Sequence, residues 1–431
     1  MRTSRTWLIA VVAAIWLPSS AGAQDADYDA FLAEQIKAVG VPGAVVAAFK
    51  DGEIVFHRAY GLADIGDGTK MDRDMAFEIG SLSKQFVAIA LLTYVEEGRL
   101  ALNDTLGNTL PSAPDDWHDV TIEQLLRHIS GVPDYEAIAG YDFYNEERTA
   151  QEIFDQALKR GLDFPAGDKY SYSNTGYVLI SLIVERAAGK PVSEVLEERI
   201  FGPLGMESTY AASRPAGATP ATGYHSRSGT RTEQPPIAWT STLAAGGIVS
   251  TVKDMQKWDE ALYTEKILPK ETLAKIWTHV MLNDGTESSY GFGWAMRSLG
   301  DEPTQQHSGQ TNGFTCFYIR FPQHHFSVLV WTNTYGGRIG RLARETAIHF
   351  LPKPSHSSIP IPPDETAGRT NLHAMAFRQA ILAVGDLELL IDDMRVFAEA
   401  EMYEPLRDFH APAPVSAKPF EFVRSCESFL Y

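Results

Sequence analysis

Phe77-Glu78-Ile79-Gly80-Ser81-Leu82-Ser83-Lys84-Gln85-Phe86 is the stretch on which the reading of the chain turns. Gly80 permits a tight turn, and the run that follows through Leu92 and Val95 is apolar on nearly every side, the pattern of a buried rather than an amphipathic helix. Ser81 then opens that helix. Lys84, three residues on, shares its face and can reach the hydroxyl proton with its amine. A serine-lysine nucleophile is one reading of this pattern, and a small residue capping a core helix is the other.

The spacing alone does not choose a site, because Ser250-Thr251-Val252-Lys253 repeats it. There the context is a polar segment, Val252 to Trp258, and Thr251 with Asp254 has the form of a helix capping box. Capping accounts for that copy without chemistry.

The chain has 431 residues, 44% of them hydrophobic and 21% charged, which suits a soluble globular protein with two domains or one large domain carrying an insertion. Met1 to Ala23 carries Arg2 and Arg5, an apolar run from Trp7 to Leu17, and Ala21-Gly22-Ala23. These are the parts of a secretory signal, and the apolar run is shorter than a typical membrane span. Residues 1–23 are therefore expected to be removed on export, leaving a periplasmic or secreted protein with no stable membrane insertion. Losing Arg2 and Arg5 takes the formal net charge of −18 two units further negative, a surface that should repel nucleic acid and anionic membranes. The two cysteines, Cys316 and Cys426, exclude a disulfide-stapled mini-protein and a Cys-based metal site. They could pair after export or remain two buried thiols.

In order, Asp29 to Val39 has helical spacing, and Gly43 to Phe49, Asp51-Gly52 and Glu53 to His57 read as a hairpin. From Leu100 to about Tyr290 the chain reads as short helices, among them Thr121 to His128, Glu147 to Leu158 and Tyr177 to Ala188. Tyr135, Tyr141, Phe143 and Tyr144 crowd a loop that either walls a cleft or is pinned to the surface by its rings. Strands are expected at Phe314 to Arg320 and Phe326 to Thr332, then a helix from Ile339 to Phe350. His324-His325 lies in the turn between those strands with no Asp, Glu or Cys at ligand spacing, so an exposed turn is preferred to a metal site. Residues 351–370, rich in Pro and Ser, read as a linker, and 371–431 as a partly helical tail of unknown function.

Two further stretches matter once Ser81 is suspected. Tyr172-Ser173-Asn174 can point a phenol and an amide into one cleft, and a phenol held beside cations would deprotonate more easily and serve as general acid or base. His307-Ser308-Gly309 precedes a strand, where Gly admits a substrate close to the backbone and His offers a polar or cationic group.

Together and in this order the three elements resemble those of the serine beta-lactamase and penicillin-binding protein superfamily: Ser-x-x-Lys, Tyr-x-Asn and Lys/His-x-Gly. Leu125 to Pro133, Ala244 to Thr251 and Tyr290 to Trp294 also look like the family, and the resemblance runs over roughly residues 25–350, nearest the class C-like branch of D-alanyl carboxypeptidases, D-aminopeptidases, esterases and beta-lactamases. It implies an α/β (α+β) fold, a mixed and mainly antiparallel sheet flanked by helices. The sheet part would be about 24–85 and 290–350, with a helical insertion at about 86–289. It implies Ser81 as acylated nucleophile, Lys84 and Tyr172 sharing its proton, Asn174 on the substrate amide, and His307, Ser308, Gly309 and Gln310 along the opposite strand. The backbone N–H groups of Ser81 and Gln310 would form the oxyanion hole.

His307 stands where class C beta-lactamases usually carry Lys, which argues against efficient antibiotic hydrolysis. An unperturbed His titrates at about 6.5, so His307 is expected to read a substrate carboxylate at mildly acidic pH. No cofactor and no metal is expected, and the partner is a small-molecule or peptide substrate, the oligomeric state being left open. The function expected is an exported serine hydrolase acting through an acyl-serine on small amides or esters, D-amino-acid peptides or beta-lactams among them. The alternatives are a slowly turning-over penicillin-binding or sensor protein and a carboxylesterase of the beta-lactamase type.

Overall fold

Asp51 and Gly52 both adopt positive φ, 51° and 79°, and so close a tight hairpin. The computed structural model describes residues 20–139, 146–158, 160–211, 221–227, 230–235, 238, 245–336 and 339–351, all within a compact unit spanning Met1–Ser357. Helix α1 (Ser20–Val39) leads into the hairpin of β1 (Gly43–Lys50) and β2 (Glu53–Gly61). Helix α2 (Ser83–Glu96) follows, and α3 (Asn174–Ala188) lies far along the chain. Strands β3 (Ala295–Leu299), β4 (Glu302–Thr311), β5 (Phe314–Phe321) and β6 (Phe326–Thr332) come next, then helix α4 (Gly340–Phe350).

The main sheet has six strands in the order β3-β4-β5-β6-β1-β2, every neighbour antiparallel. β1, from one end of the chain, pairs with β6 from the other, Ala44 opposite Thr332 and Lys50 opposite Phe326. Both faces of the sheet are covered, which is why β1 reads Gly-Ala-Val-Val-Ala-Ala-Phe with no polar alternation and is buried along that whole run. On one face Ala44, Val46, Val328 and Val330 pack with Leu32 of α1 and Leu342 of α4. On the other, Val45, Ala47, Leu329 and Trp331 pack against the cluster that contains α2. α2 is buried from Ser83 through Tyr94, the all-round burial that its apolar sequence predicts.

The intervening segment is not purely helical, as the sequence suggested, because parts of it pair with the sheet part of the chain. Ile248–Ser250 pairs with Phe77–Glu78 and with Tyr210–Ala211, and Tyr224–Arg227 runs parallel to Thr334–Tyr335. The expected helices are there, at Ile122–Leu126, Ala150–Ala157 and α3, the first two closed by capping boxes at Thr121 and Thr149. α3 begins at Asn174, three residues before the apolar pattern signals it, because Ser173 caps it by accepting from the Gly176 N–H. Residues 1–19 of the expected signal segment, Tyr141, Phe143, Tyr144, Cys426, and the expected linker and tail beyond Leu351 lie outside the described residues.

One buried ion pair ties the helix Val252–Ala261 to the sheet. Asp259 accepts from Arg320 Nε at 2.9 Å, from Ser327 Oγ at 2.6 Å and from the Tyr318 hydroxyl. Arg320 also donates to Gln305 Oε1 at 2.6 Å, and both charged side chains are 1% exposed. Removing one partner strands the other charge in a low-dielectric interior, so Asp259→Ala should cost about 3–5 kcal/mol in chemical denaturation. A loss below about 1 kcal/mol, the value of a surface pair, would mean that the sheet does not depend on this contact.

Candidate active site

Gly80 to Leu82 form a single 3-10 turn that runs into α2. Gly80 has φ of 51°, and a Cβ there would lie 2.5 Å from the backbone nitrogen of Gln310. Across the gap, a Cβ on Gly309 would lie 2.1 Å from the carbonyl oxygen of Ile79. Only glycines let the turn and β4 approach so closely, and the approach puts the Gln310 backbone nitrogen beside Gly80, the residue before Ser81. Cys316, buried behind this contact, donates its thiol to Ile79 O at 3.0 Å. The segment after Ala245 is pinned here too: Ile79 N donates to Ile248 O at 3.0 Å, and Ile248 N to Ser83 Oγ at 3.1 Å.

Lys84, the second residue of α2 and one turn beyond Ser81, is fully buried, with Nζ 3.0 Å from Ser81 Oγ, 2.7 Å from Asn174 Oδ1 and 2.8 Å from Ala245 O. The two carbonyl oxygens can only accept, so they take two amine hydrogens. In the neutral amine the third direction, toward Ser81, is then the lone pair, and the Ser81 hydroxyl donates to it. Burial pulls the Lys84 pKa down to about 7, against the opposing pull of Glu136 and Asp134. Among the described residues no cation figures in the lowering; desolvation does it.

Asn174 is engaged at both ends. Its Oδ1 accepts from Lys84 and its Nδ2 donates to Glu136 Oε1 at 2.7 Å and Asp134 Oδ2 at 3.4 Å. In this state it orients the lysine rather than standing free for a substrate amide. Asp134 and Glu136 were not picked out from the sequence. Their signal was Asp134-Tyr135-Glu136 directly behind Gly131-Val132-Pro133, two carboxylates where a turn hands over to the helix Tyr135–Ala139. Burial raises both carboxyl pKa values, and Asp134 raises that of Glu136 further.

Tyr172 corrects an expectation. Its pKa is driven well above 10 by burial, with the interaction with Ser81 the largest opposing influence, so it stays a phenol at neutral pH. Among the described residues the cation over its ring is Lys84, 4.8 Å from the centroid, which loses its charge near neutrality, so no pair of cations eases its deprotonation. Apart from the interaction with Ser81, the Tyr172 hydroxyl has no hydrogen-bond partner among the described residues, so its proton is available to a leaving group.

His307 corrects another. Burial and Lys84 together lower its pKa to about 3, and both ring nitrogens are occupied. Nδ1–H donates to Ser308 O at 2.6 Å, and Nε2 accepts from the Tyr290 hydroxyl at 2.8 Å. This is a neutral imidazole, not a carboxylate-reading cation. Ser308 and Gln310 are exposed on alternate positions of β4. The competing pair, Ser250 and Lys253, does not meet: Ser250 Oγ bonds Thr209 Oγ1 at 2.8 Å, Thr251 caps the next helix, and Lys253 pairs with Asp74 at the surface. His324 and His325 are half-buried rather than exposed, bonded to Glu302 and Glu260 at 2.8 Å each.

A family profile described as Beta-lactamase matches residues 28–350. The chain belongs to the beta-lactamase family. It is 30% identical to a penicillin-binding protein of Bacillus subtilis (strain 168) over 68% of each chain. It is 29% identical to a D-aminopeptidase of Brucella anthropi over 69% of this chain and 57% of that one, so it spans little more than half of that relative. Among solved structures, a D-amino acid amidase from Ochrobactrum anthropi SV3 superposes with a TM-score of 0.63 at 27% identity, over 74% of this chain and 95% of that one. The octameric penicillin-binding protein homologue from Pyrococcus abyssi gives 0.67 at 26%, over 76% and 77%. The mainly antiparallel sheet flanked by helices is the fold these relatives share, and the protein is a hydrolase of the beta-lactamase superfamily. No helix among the described residues is long and apolar enough to cross a membrane.

Because His307 is neutral across the working range, substrate choice should not follow its ordinary titration. The ratio of kcat/KM for a carboxylate-bearing substrate to that for a neutral ester should stay flat from pH 5 to pH 8, since changes at Lys84 affect both substrates and cancel. A ratio that falls several-fold as pH rises through about 6.5 would mean that His307 titrates as it does in water.

Proposed function

We propose that this chain is an exported hydrolase that forms an acyl-serine at Ser81 and acts on small amides and esters of D-amino acids with a free amino end. The observation that carries the reaction type is the Lys84 amine, whose two hydrogens are taken by Asn174 Oδ1 and Ala245 O while its lone pair faces Ser81 Oγ at 3.0 Å. As the Ser81 Oγ–carbon bond forms, the hydroxyl proton passes to Lys84 Nζ. The oxygen that gains charge is met by the backbone N–H groups of Ser81 and Gln310, each such donor being worth roughly 10²–10³ in rate. The carbon–nitrogen bond then breaks, and the leaving nitrogen takes the Tyr172 proton, which the Lys84 ammonium replaces. Water attacks the ester, gives up a proton to the regenerated base, and Ser81 departs with its hydrogen restored.

The substrate class rests on charge. A neutral His307 offers nothing to the carboxylate of a beta-lactam or of a peptide C-terminus. Half-buried Glu136, raised by burial and by Asp134, gains from an ammonium placed beside it. D-aminopeptidase and D-amino acid amidase relatives favour the same reading. Export is supported by the charged, apolar and small-residue parts of Met1 to Ala23.

A fluorophosphonate should label wild type and Ser250→Ala but not Ser81→Ala, and Lys84→Arg should fail to acylate because guanidinium does not shed its proton. Glu136→Gln should lower kcat/KM for D-alanine p-nitroanilide by about tenfold or more, the worth of a charged hydrogen bond, and leave the N-acetylated anilide unchanged. Equal losses on both substrates would remove the amino-end assignment, and full labelling of Ser81→Ala would remove the nucleophile.

A further inference from the structure

The helix Ile122–Leu126 ends in a Schellman arrangement, with Ile129 N donating to Gln124 O at 3.0 Å and His128 N to Leu125 O at 3.2 Å. The residue at its turning point must be left-handed, a place taken by Gly or, less often, Asn. Here it is His128, at φ of 57°. A ring at that φ costs stability that Gly would not, and the outlier directs attention to what the side chain does.

His128 grips the chain on both sides of Tyr172. Its carbonyl accepts from Ser171 N at 2.8 Å, and its Nδ1 accepts from Ser173 N at 3.1 Å. Its ring lies against the Tyr172 ring, with 4.2 Å between centroids, and the side chain is 1% exposed. Because Nδ1 accepts, the ring is the neutral tautomer with hydrogen on Nε2, which has no hydrogen-bond partner among the described residues. A glycine would keep the carbonyl contact and lose both the ring contact and the acceptor for Ser173. Ser173 caps α3 and sits between Tyr172 and Asn174, so its backbone sets the direction of both side chains.

We propose that His128 is a positioning residue for the acyl-transfer reaction: its Nδ1 and carbonyl clamp the two peptide N–H groups that flank Tyr172 and hold the phenol where a leaving nitrogen receives its proton. This rests on the acyl-serine reading above, and the role given to Tyr172 there makes the test specific. A leaving p-nitroaniline needs a proton, whereas p-nitrophenolate leaves without one.

The test compares kcat and KM for D-phenylalanine p-nitroanilide and for p-nitrophenyl acetate in wild type, His128→Phe, His128→Asn, Tyr172→Phe and the double variant His128→Phe/Tyr172→Phe. His128→Phe keeps a ring and removes the acceptor, and should lower kcat for the anilide at least tenfold with KM and ester turnover within about threefold, since general acid catalysis contributes 10²–10⁴. His128→Asn suits a left-handed residue and puts Oδ1 near the place of Nδ1, and should recover anilide turnover to within about threefold of wild type. In the Tyr172→Phe background the His128→Phe change should have little further effect, the non-additivity of groups acting as one unit.

Equal losses on anilide and ester, additive losses in the double variant, or a His128→Asn no better than His128→Phe would each overturn the proposal. If His128→Phe does not fold, His128→Gly, which relieves the positive φ and lacks the acceptor, takes its place with the same expectations. Failure of the underlying reading looks different: wild type that hydrolyses neither probe, or Ser81→Ala that hydrolyses both, defeats the acyl-serine assignment whatever the His128 variants do.

Discussion

A single buried amine holds the site together. Lys84 Nζ touches Ser81 Oγ from its own helix, Asn174 Oδ1 from α3 and Ala245 O from the segment that pairs beside Phe77–Glu78. Removing an ammonium from water is expensive, so such a group sheds its proton unless fully paired. Two carbonyl acceptors satisfy a neutral amine at two of its three positions and leave the third as a base. The geometry that makes the lysine chemically useful is therefore the one that makes its burial tolerable.

The surrounding groups follow from the same low polarity. Tyr172 keeps its proton, His307 and His128 stay neutral, and both carboxyls of Asp134 and Glu136 are raised, all with desolvation as the first cause. Among the described residues the cleft thus carries ionisable groups held close to neutrality, with carboxyls and no cation waiting for a substrate. That balance suits an incoming ammonium or a neutral ester better than an incoming carboxylate, and it separates this chain from a reading based on a cation at position 307. The glycine contact between Gly80 and Gln310 sets the other wall, because it fixes how far β4 stands from the serine.

Much of this was legible in the sequence where local pattern and long-range packing agree. The all-round apolar run after Ser81, the Asp51-Gly52 hairpin and the cap at Thr251 each read correctly because the cause is local, whereas the caps at Thr121 and Thr149 were not singled out. The Ser81 to Lys84 contact also follows from helical spacing. What was missed depends on groups distant in the chain. Nothing local says that Glu136 meets Asn174, that Tyr290 will occupy His307 Nε2, or that strands within the helical segment pair with Phe77–Glu78 and Thr334–Tyr335. The errors over Tyr172 and His307 share one origin, since ordinary pKa values were carried into an interior whose polarity the sequence does not display. Tyr172-Ser173-Asn174 is a loop residue, a cap and a first helical residue in succession, and the Ser173 hydroxyl is the local sign of the cap.

The central claim is that Lys84 is a neutral base in the resting protein, and its titration can be observed directly. In protein carrying 13C at the lysine Cε, the resonance absent from Lys84→Arg belongs to Lys84, and its shift against pH reports that amine alone. A midpoint near pH 7, well below the roughly 10.4 of an unperturbed lysine, is the result the account predicts. A midpoint above pH 10 would mean that the amine stays an ammonium at neutral pH, presents a hydrogen rather than a lone pair to Ser81, and is not the base.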